Sequence, residues 1–138
     1  MARSQAGVRS GIGLAEGVLR GVVAAAVLLS ADIHLVLYVE GYSDIPVIGP
    51  MFAVNVVAGL AIGVGVLVWR HWLAAFLAAG FGAATFVAYL LSRTVGLFGV
   101  REMSWDAQGV LAAVAEVLAV VGGVVLLIAA RLRSTSDS

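Results

Sequence analysis

Apolar residues along this 138-residue chain do not alternate with polar ones; they run on, in four stretches long enough to cross a bilayer. The first extends from Gly21 to Val39 and reaches back toward Leu14. The second covers Met51 to Trp69, the third Trp72 to Leu91, and the fourth Ala107 to Ala130. A hydrocarbon core about 30 Å thick needs roughly 20 residues of helix to cross it, and each stretch supplies them. Inside lipid every backbone N–H and C=O must find a partner within the protein, so only helices and closed barrels can span. Barrel strands would alternate with a period of two, which these runs do not. Helices are therefore predicted, over about residues 14–39, 51–69, 72–93 and 105–130.

The connections constrain how these helices lie. Arg70-His71 leaves so little chain between the second and third that the two must form a helical hairpin. The first connection, Glu40 to Pro50, holds both prolines; Pro46 suits an ordered loop and Pro50 a helix start. The third, Thr94 to Ser104, includes Val95, Leu97, Phe98 and Val100 and is too apolar to float in water. It is expected to lie along the membrane interface or to fold back over the bundle.

Arginine sets the orientation. Arg3, Arg9 and Arg20 lie before or at the start of helix 1, Arg70 sits in the second connection, and Arg131 and Arg133 follow helix 4. The first connection carries Glu40 and Asp44 with no arginine, and the third mixes Arg93 and Arg101 with Glu102 and Asp106. The positive-inside rule then places both termini in the cytoplasm. Trp69 and Trp72 at the inner turn, and Tyr38, Tyr42 and Trp105 at the outer face, fit the aromatic belts of a membrane protein. The fold class expected is all-α: an antiparallel four-helix transmembrane bundle forming one membrane domain, residues 1–138.

Composition agrees. Hydrophobic residues make up 62% and charged residues 12%, with a mean hydropathy of +1.10, against about 25% charged in soluble domains. Eight basic and eight acidic residues balance, which argues against a nucleic-acid partner. Every basic residue is arginine, a usage that suggests a GC-rich bacterial genome and hence a bacterial plasma membrane. Cysteine is absent, which excludes disulfides, thiolate metal sites and cysteine nucleophiles. Arg3 and Arg9 before an apolar stretch, with Ser30-Ala31 after it, resemble a weak signal-peptide context. Hydrophobicity resumes through Leu35-Val36-Leu37, so an uncleaved first helix is expected.

Small residues suggest how the helices meet. Gly59 and Gly63 have GxxxG spacing, Ala75, Ala79 and Ala83 form a small-xxx-small row, and helix 4 carries Gly122-Gly123. Such rows let backbones approach closely in lipid, either within one chain or across a dimer face. Gly11-Ile12-Gly13 lacks the strand and third glycine of a dinucleotide fingerprint.

Polar residues at membrane depth are the candidates for function. At about 1.5 Å per residue, Asp32, Asn55, Tyr89 and Glu116 fall at comparable depth in the outer half, with Arg93 above them. Two readings are open. The five residues form an outward-facing pocket for a cation, a proton or a polar headgroup, or they are a structural pair and hydrogen bonds that fix the bundle.

Asp32 and His34 are about 200° apart around the helix (two steps of about 100°), so one of them faces the bundle and the other does not. His34 shares a face with Tyr38. This argues against a metal site built from Asp32, His34 and Glu116, and no metal is expected. A haem held by His34 and His71 is excluded by their separation across most of the membrane, and no cofactor is expected; His71 is read as an interfacial residue between two tryptophans. Glu16 and Arg20, four apart, form a helical ion pair with Arg20 snorkelling to headgroups. Leu14-Ala15-Glu16 is also similar to the first-helix context of small multidrug-resistance exporters, from which the rest of the chain departs. Ser30, Ser43, Ser92 and Ser104 lack a histidine partner, and no catalytic residue is assigned.

Two stretches carry a wider resemblance: His34-Leu35 through Tyr42, Ile45-Pro46, Ile48-Gly49, Phe52 and Asn55, and then Leu90 through Gly99 followed by Trp105. They resemble a group of small four-helix membrane proteins from actinobacteria. The resemblance implies that the outer loops and the Arg93 region are typical of the group, and it supplies no catalytic or ligand residues. The leading functional reading is a non-enzymatic accessory or scaffold subunit. Its partners would be membrane lipid and either a larger membrane complex or a second copy of itself. The alternative is a small transporter or binding protein using the polar layer, with a lipid- or quinone-directed enzyme a distant third.

Overall fold

The computed structural model describes residues 2–101 and 106–136, with side chains described from Gly11 to Thr135 within those bounds. Glu102, Ser104 and Trp105, the expected start of helix 4 at 105, and the side chains of Arg3 and Arg9 lie outside them. Four helices follow in order: α1, Ala2–Val39; α2, Ile48–Val68; α3, Trp72–Thr94; and α4, Ala107–Ser136. A short 3₁₀ turn, Tyr42–Asp44, lies between α1 and α2. All four helices are long and apolar enough to cross a membrane, as an integral membrane protein requires.

The first and last helices exceed their expected bounds. α1 begins a full three turns before Leu14, and α4 runs on past Ala130 through Arg131-Leu132-Arg133. Hydropathy marks only the part of a helix that meets lipid, and it is silent about helical turns continuing into water. In α4 the added turn is supported by Ser134 Oγ donating to the Arg131 carbonyl at 2.7 Å and Thr135 Oγ1 to that of Leu132 at 2.9 Å.

Packing is uneven along the bundle. The close-packed core joins Val23 and Val27 of α1, Val66 of α2, Ala75 and Ala78 of α3, and Ala119 and Leu126 of α4. These all lie in the half nearest the Arg70-His71 turn. The expected small-residue rows are used inside the chain. A Cβ on Gly59 would come within 2.7 Å of Ala31, and one on Gly63 within 2.7 Å of Leu28, so this face is spent on α1. A Cβ on Gly122 would collide with Val23, and one on Gly123 would come within 2.9 Å of the Ala75 carbonyl. On α3 the contact row runs through Ala75, Ala78 and Gly82 and leaves Ala83 exposed; helical drift at 3.6 residues per turn turns a strict four-residue spacing off the interface.

The α1–α2 connection is fixed by backbone geometry. Gly41 turns at φ 127°, and a Cβ on Gly49 would collide with the Ser43 carbonyl. Val47 precedes α2 at φ 71°, spanned by Ile48 N–H donating to the Pro46 carbonyl at 2.9 Å, a three-residue turn of the strained hand. In the α3–α4 connection Leu97 and Val100 exchange backbone hydrogen bonds at 2.8 and 2.9 Å. Gly96 and Gly99 supply two of the positive φ angles of that turn, and Phe98, at φ 47°, adds a third.

Candidate functional site

In the half of the bundle away from the Arg70-His71 turn, the helices part around a cavity of about 600 Å³. Its walls are largely apolar, with Ile33, Leu37, Phe52, Ala58, Phe81 and Ala88 among them. Leu97 and Val100 also line it, so the apolar α3–α4 connection folds back onto the bundle. His34 sits edge-on to Phe52 at 5.0 Å between ring centroids, and Phe52 stacks on Tyr42 at 5.3 Å. All three rings line the cavity.

The structure divides the five expected site residues. Asn55, Tyr89 and Glu116 line this one cavity. Asp32 does not: it is exposed on the far face of α1, and takes part in no ion pair among the described residues. Arg93 lies outside the lining, its guanidinium 5.7 Å from the centre of the Tyr89 ring. The choice between Asp32 and His34 goes to His34, because α1 buries the face that carries Val23, Val27 and Ser30, and His34 is four residues beyond Ser30. Tyr38, half-buried, is not part of the lining.

Glu116 is 1% exposed. It sits on the small-residue face of α4 with Ala112, Ala115 and Ala119, and that face meets α3 so closely that a Cβ on Gly82 would lie 2.6 Å from the Glu116 carbonyl. The hydroxyls of Ser30 and Thr85 lie beside its carboxyl. Thr85 Oγ1 donates to the carbonyls of Phe81 at 2.8 Å and Gly82 at 3.2 Å, so its proton is committed to backbone. Four buried polar atoms here lack any hydrogen-bond partner: Ser30 Oγ, Asn55 Oδ1, Tyr89 OH and Glu116 Oε2. His34 Nδ1 is 2.7 Å from the Ser30 carbonyl; a carbonyl only accepts, so Nδ1 carries the proton and Nε2 of the neutral ring is left as an acceptor.

Thr85 was passed over in the sequence, and Ser30 was weighed there only as a nucleophile and set aside for want of a histidine partner. The signal that marks Ser30 is its position at i−4 to His34 on the face of Val23 and Val27. Asp106, at the start of α4, accepts from Gly109 N–H at 2.6 Å, a side-chain cap of the helix. Asp106, Gly109, Ala112 and Glu116 all line the cavity. A carboxylate thus stands at each end of a smooth strip of α4.

The opposite end carries a second cluster. Glu16 accepts from Arg20 Nε at 3.1 Å and Arg133 at 2.7 Å, with Arg70 at 3.5 Å. Arg20 is 6% exposed and donates to the carbonyls of Val66 at 3.1 Å and Trp69 at 3.4 Å. This corrects the snorkelling expected of Arg20: its charge neutralises the carbonyl end of α2 instead of reaching headgroups. Glu16, engaged by three arginines, has no exporter-like carboxylate to offer. His71 stacks on Trp69 at 4.9 Å and accepts from Leu73 N–H at 3.2 Å, as an interfacial cap. Among the described residues no group of three His, Cys, Asp or Glu is placed to hold a metal ion. Comparison with known proteins finds no matching family model, curated protein or solved structure.

Proposed function

We propose that this protein is an antiparallel four-helix bundle of a bacterial plasma membrane with both termini in the cytoplasm, and that its cavity binds a small amphipathic molecule from the extracytoplasmic side. The observation that carries the reading is that Asn55 Oδ1, Tyr89 OH and Glu116 Oε2, buried and without hydrogen-bond partners, line one largely apolar cavity. Leaving a buried polar group unsatisfied costs about 1–3 kcal/mol, and concave apolar cavities with a few convergent polar groups are the usual form of a ligand site. Orientation is supported by the arginines: Arg20, Arg70, Arg131 and Arg133 gather at the end opposite the cavity, the end the positive-inside rule assigns to the cytoplasm.

Binding is favoured over transport because the cytoplasmic half is filled by Val23, Val27, Val66 and Leu126, each 2% exposed or less. An accessory role in a larger membrane complex, or self-association, draws on apolar faces left free. With Gly59, Gly63, Gly82, Gly122 and Gly123 taken up inside the chain, that role falls to the exposed face of α2 with Val54, Val57, Leu60 and Val64. Kinship with the actinobacterial four-helix group accompanies this proposal and adds no ligand to it.

Thermal melting of the detergent-solubilised protein against drug-sized cationic, neutral and anionic amphiphiles tests the binding reading. A ligand that binds only the folded state raises the midpoint by mass action. At least one charge class should do so, and Ala88→Trp, which fills the cavity, should remove the response. A panel without effect on the native protein overturns the proposal.

A further inference from the structure

We infer that the cavity is selective for a protonated lipophilic amine, with Glu116 receiving its ammonium group; this rests on the binding function proposed above. Among the described residues, the charged side chains of the lining are two carboxylates, Asp106 and Glu116, and no arginine lines it. Arg93 lies outside the lining, beside the Tyr89 ring. The charge that complements this lining is therefore positive.

Hydrogen bonding points the same way. Glu116 Oε2 and Asn55 Oδ1 are buried acceptors that receive no hydrogen bond, and with Nδ1 donating to the Ser30 carbonyl, a neutral His34 ring offers Nε2 as another. Thr85 has spent its proton on the Phe81 and Gly82 carbonyls. The donors present, among them the Ser30 and Tyr89 hydroxyls, carry no charge, whereas an ammonium group brings two or three N–H donors on one charged atom. An anion would meet two carboxylates, and a bare metal ion would face walls that are mostly carbon.

The walls define the rest of the ligand. Tyr42, Phe52 and Phe81 offer aromatic surface, which suits both an apolar body and an adjacent cation. Asp106 and Glu116 are ten residues apart on α4, about 15 Å at 1.5 Å per residue, and Gly109 and Ala112 leave the strip between them open. A compact aliphatic or aralkyl body up to that length fits, entering past Asp106 with its amine leading toward Glu116.

An isosteric series isolates the charge: 1-adamantylamine, 1-adamantanol and 1-adamantanecarboxylate, titrated at neutral pH into the protein in nanodiscs, with empty nanodiscs as the reference. The amine should bind at least tenfold more tightly than the alcohol, and the carboxylate most weakly. Glu116→Gln should remove the amine's advantage while leaving the alcohol's affinity in place. The comparison on the native protein needs no variant, so a Glu116→Gln chain that fails to fold does not shield the inference. Equal binding of amine and alcohol, or an amine advantage that survives Glu116→Gln, overturns the amine selectivity and leaves the cavity as a binding site. Absence of binding by all three overturns both the selectivity and the binding function for ligands of this size.

Discussion

Glu16→Ala is expected to lower the stability of the folded bundle by about 3–5 kcal/mol, the loss typical of breaking one side of a buried ion pair. Arg20 is the reason. Its guanidinium is buried against the Val66 and Trp69 carbonyls, and with Glu16 gone its charge would face Arg70 and Arg133 without a counter-ion. Arg70, being largely exposed, contributes little to this sum. A second substitution should reveal the cause: Glu16→Ala combined with Arg20→Met removes the stranded charge and should recover much of the loss. Denaturant unfolding in detergent reads both. If Glu16→Ala melts like the native chain, the cluster is decorative and the account of this end of the bundle is wrong.

The second large effect belongs to the α3–α4 seam. Gly82→Leu and Gly123→Leu should each prevent these helices from closing, at a cost of at least the 1–3 kcal/mol typical of overpacking. The added side chains would meet backbone, the Glu116 carbonyl in one case and the Ala75 carbonyl in the other, and backbone cannot rotate away. Gly82→Leu should also displace Glu116 from the cavity wall. Gly65→Ala is the control: open space surrounds Gly65, and alanine there is expected to be neutral or to stabilise by roughly 0.5–1 kcal/mol. Yield of folded monomer and thermal midpoint compare the three. Equal behaviour of Gly82→Leu and Gly65→Ala would contradict the packing described here.

What the sequence made legible follows from what sequence patterns record. Continuous hydrophobicity records contact with lipid, so the four spans could be read directly. It does not record where helix continues into water, which is why residues before Leu14 and after Ala130 went unassigned. Depth was also legible: Asn55, Tyr89 and Glu116 were placed in one layer by counting rise along each helix, and they share one cavity. Rotation was half legible. The spacing of Asp32 and His34 shows that they cannot both face inward. Choosing between them requires knowing that α1 buries the Val23–Val27–Ser30 face, and apolar residues surround α1 on every side in this part of the chain.

Arg20 shows the remaining gap. Its pairing with Glu16 is written in the i, i+4 spacing, but its bonds to Val66 and Trp69 depend on which helix end lies opposite, 46 and 49 residues away. The cavity itself is invisible to any one segment. It exists because the residues that fill the half nearest the Arg70-His71 turn have no counterparts in the other half, where small side chains such as Ala58, Ala84, Ala88, Gly109 and Ala112 face one another across the gap.

Cysteine labelling tests the central claim, a largely apolar cavity holding a few polar groups that opens outward from the membrane, most directly, and the chain has no cysteine of its own to interfere. Ala88 lines the cavity, whereas its neighbour Val87 is exposed on the outer surface of α3 at the same depth. A membrane-impermeant thiol reagent applied to intact cells should label Ala88→Cys and spare Val87→Cys, because a thiol ionises and reacts where water reaches it. Ala88→Cys that stays unlabelled, or that reacts only when the reagent is given from the cytoplasmic side, would contradict the account.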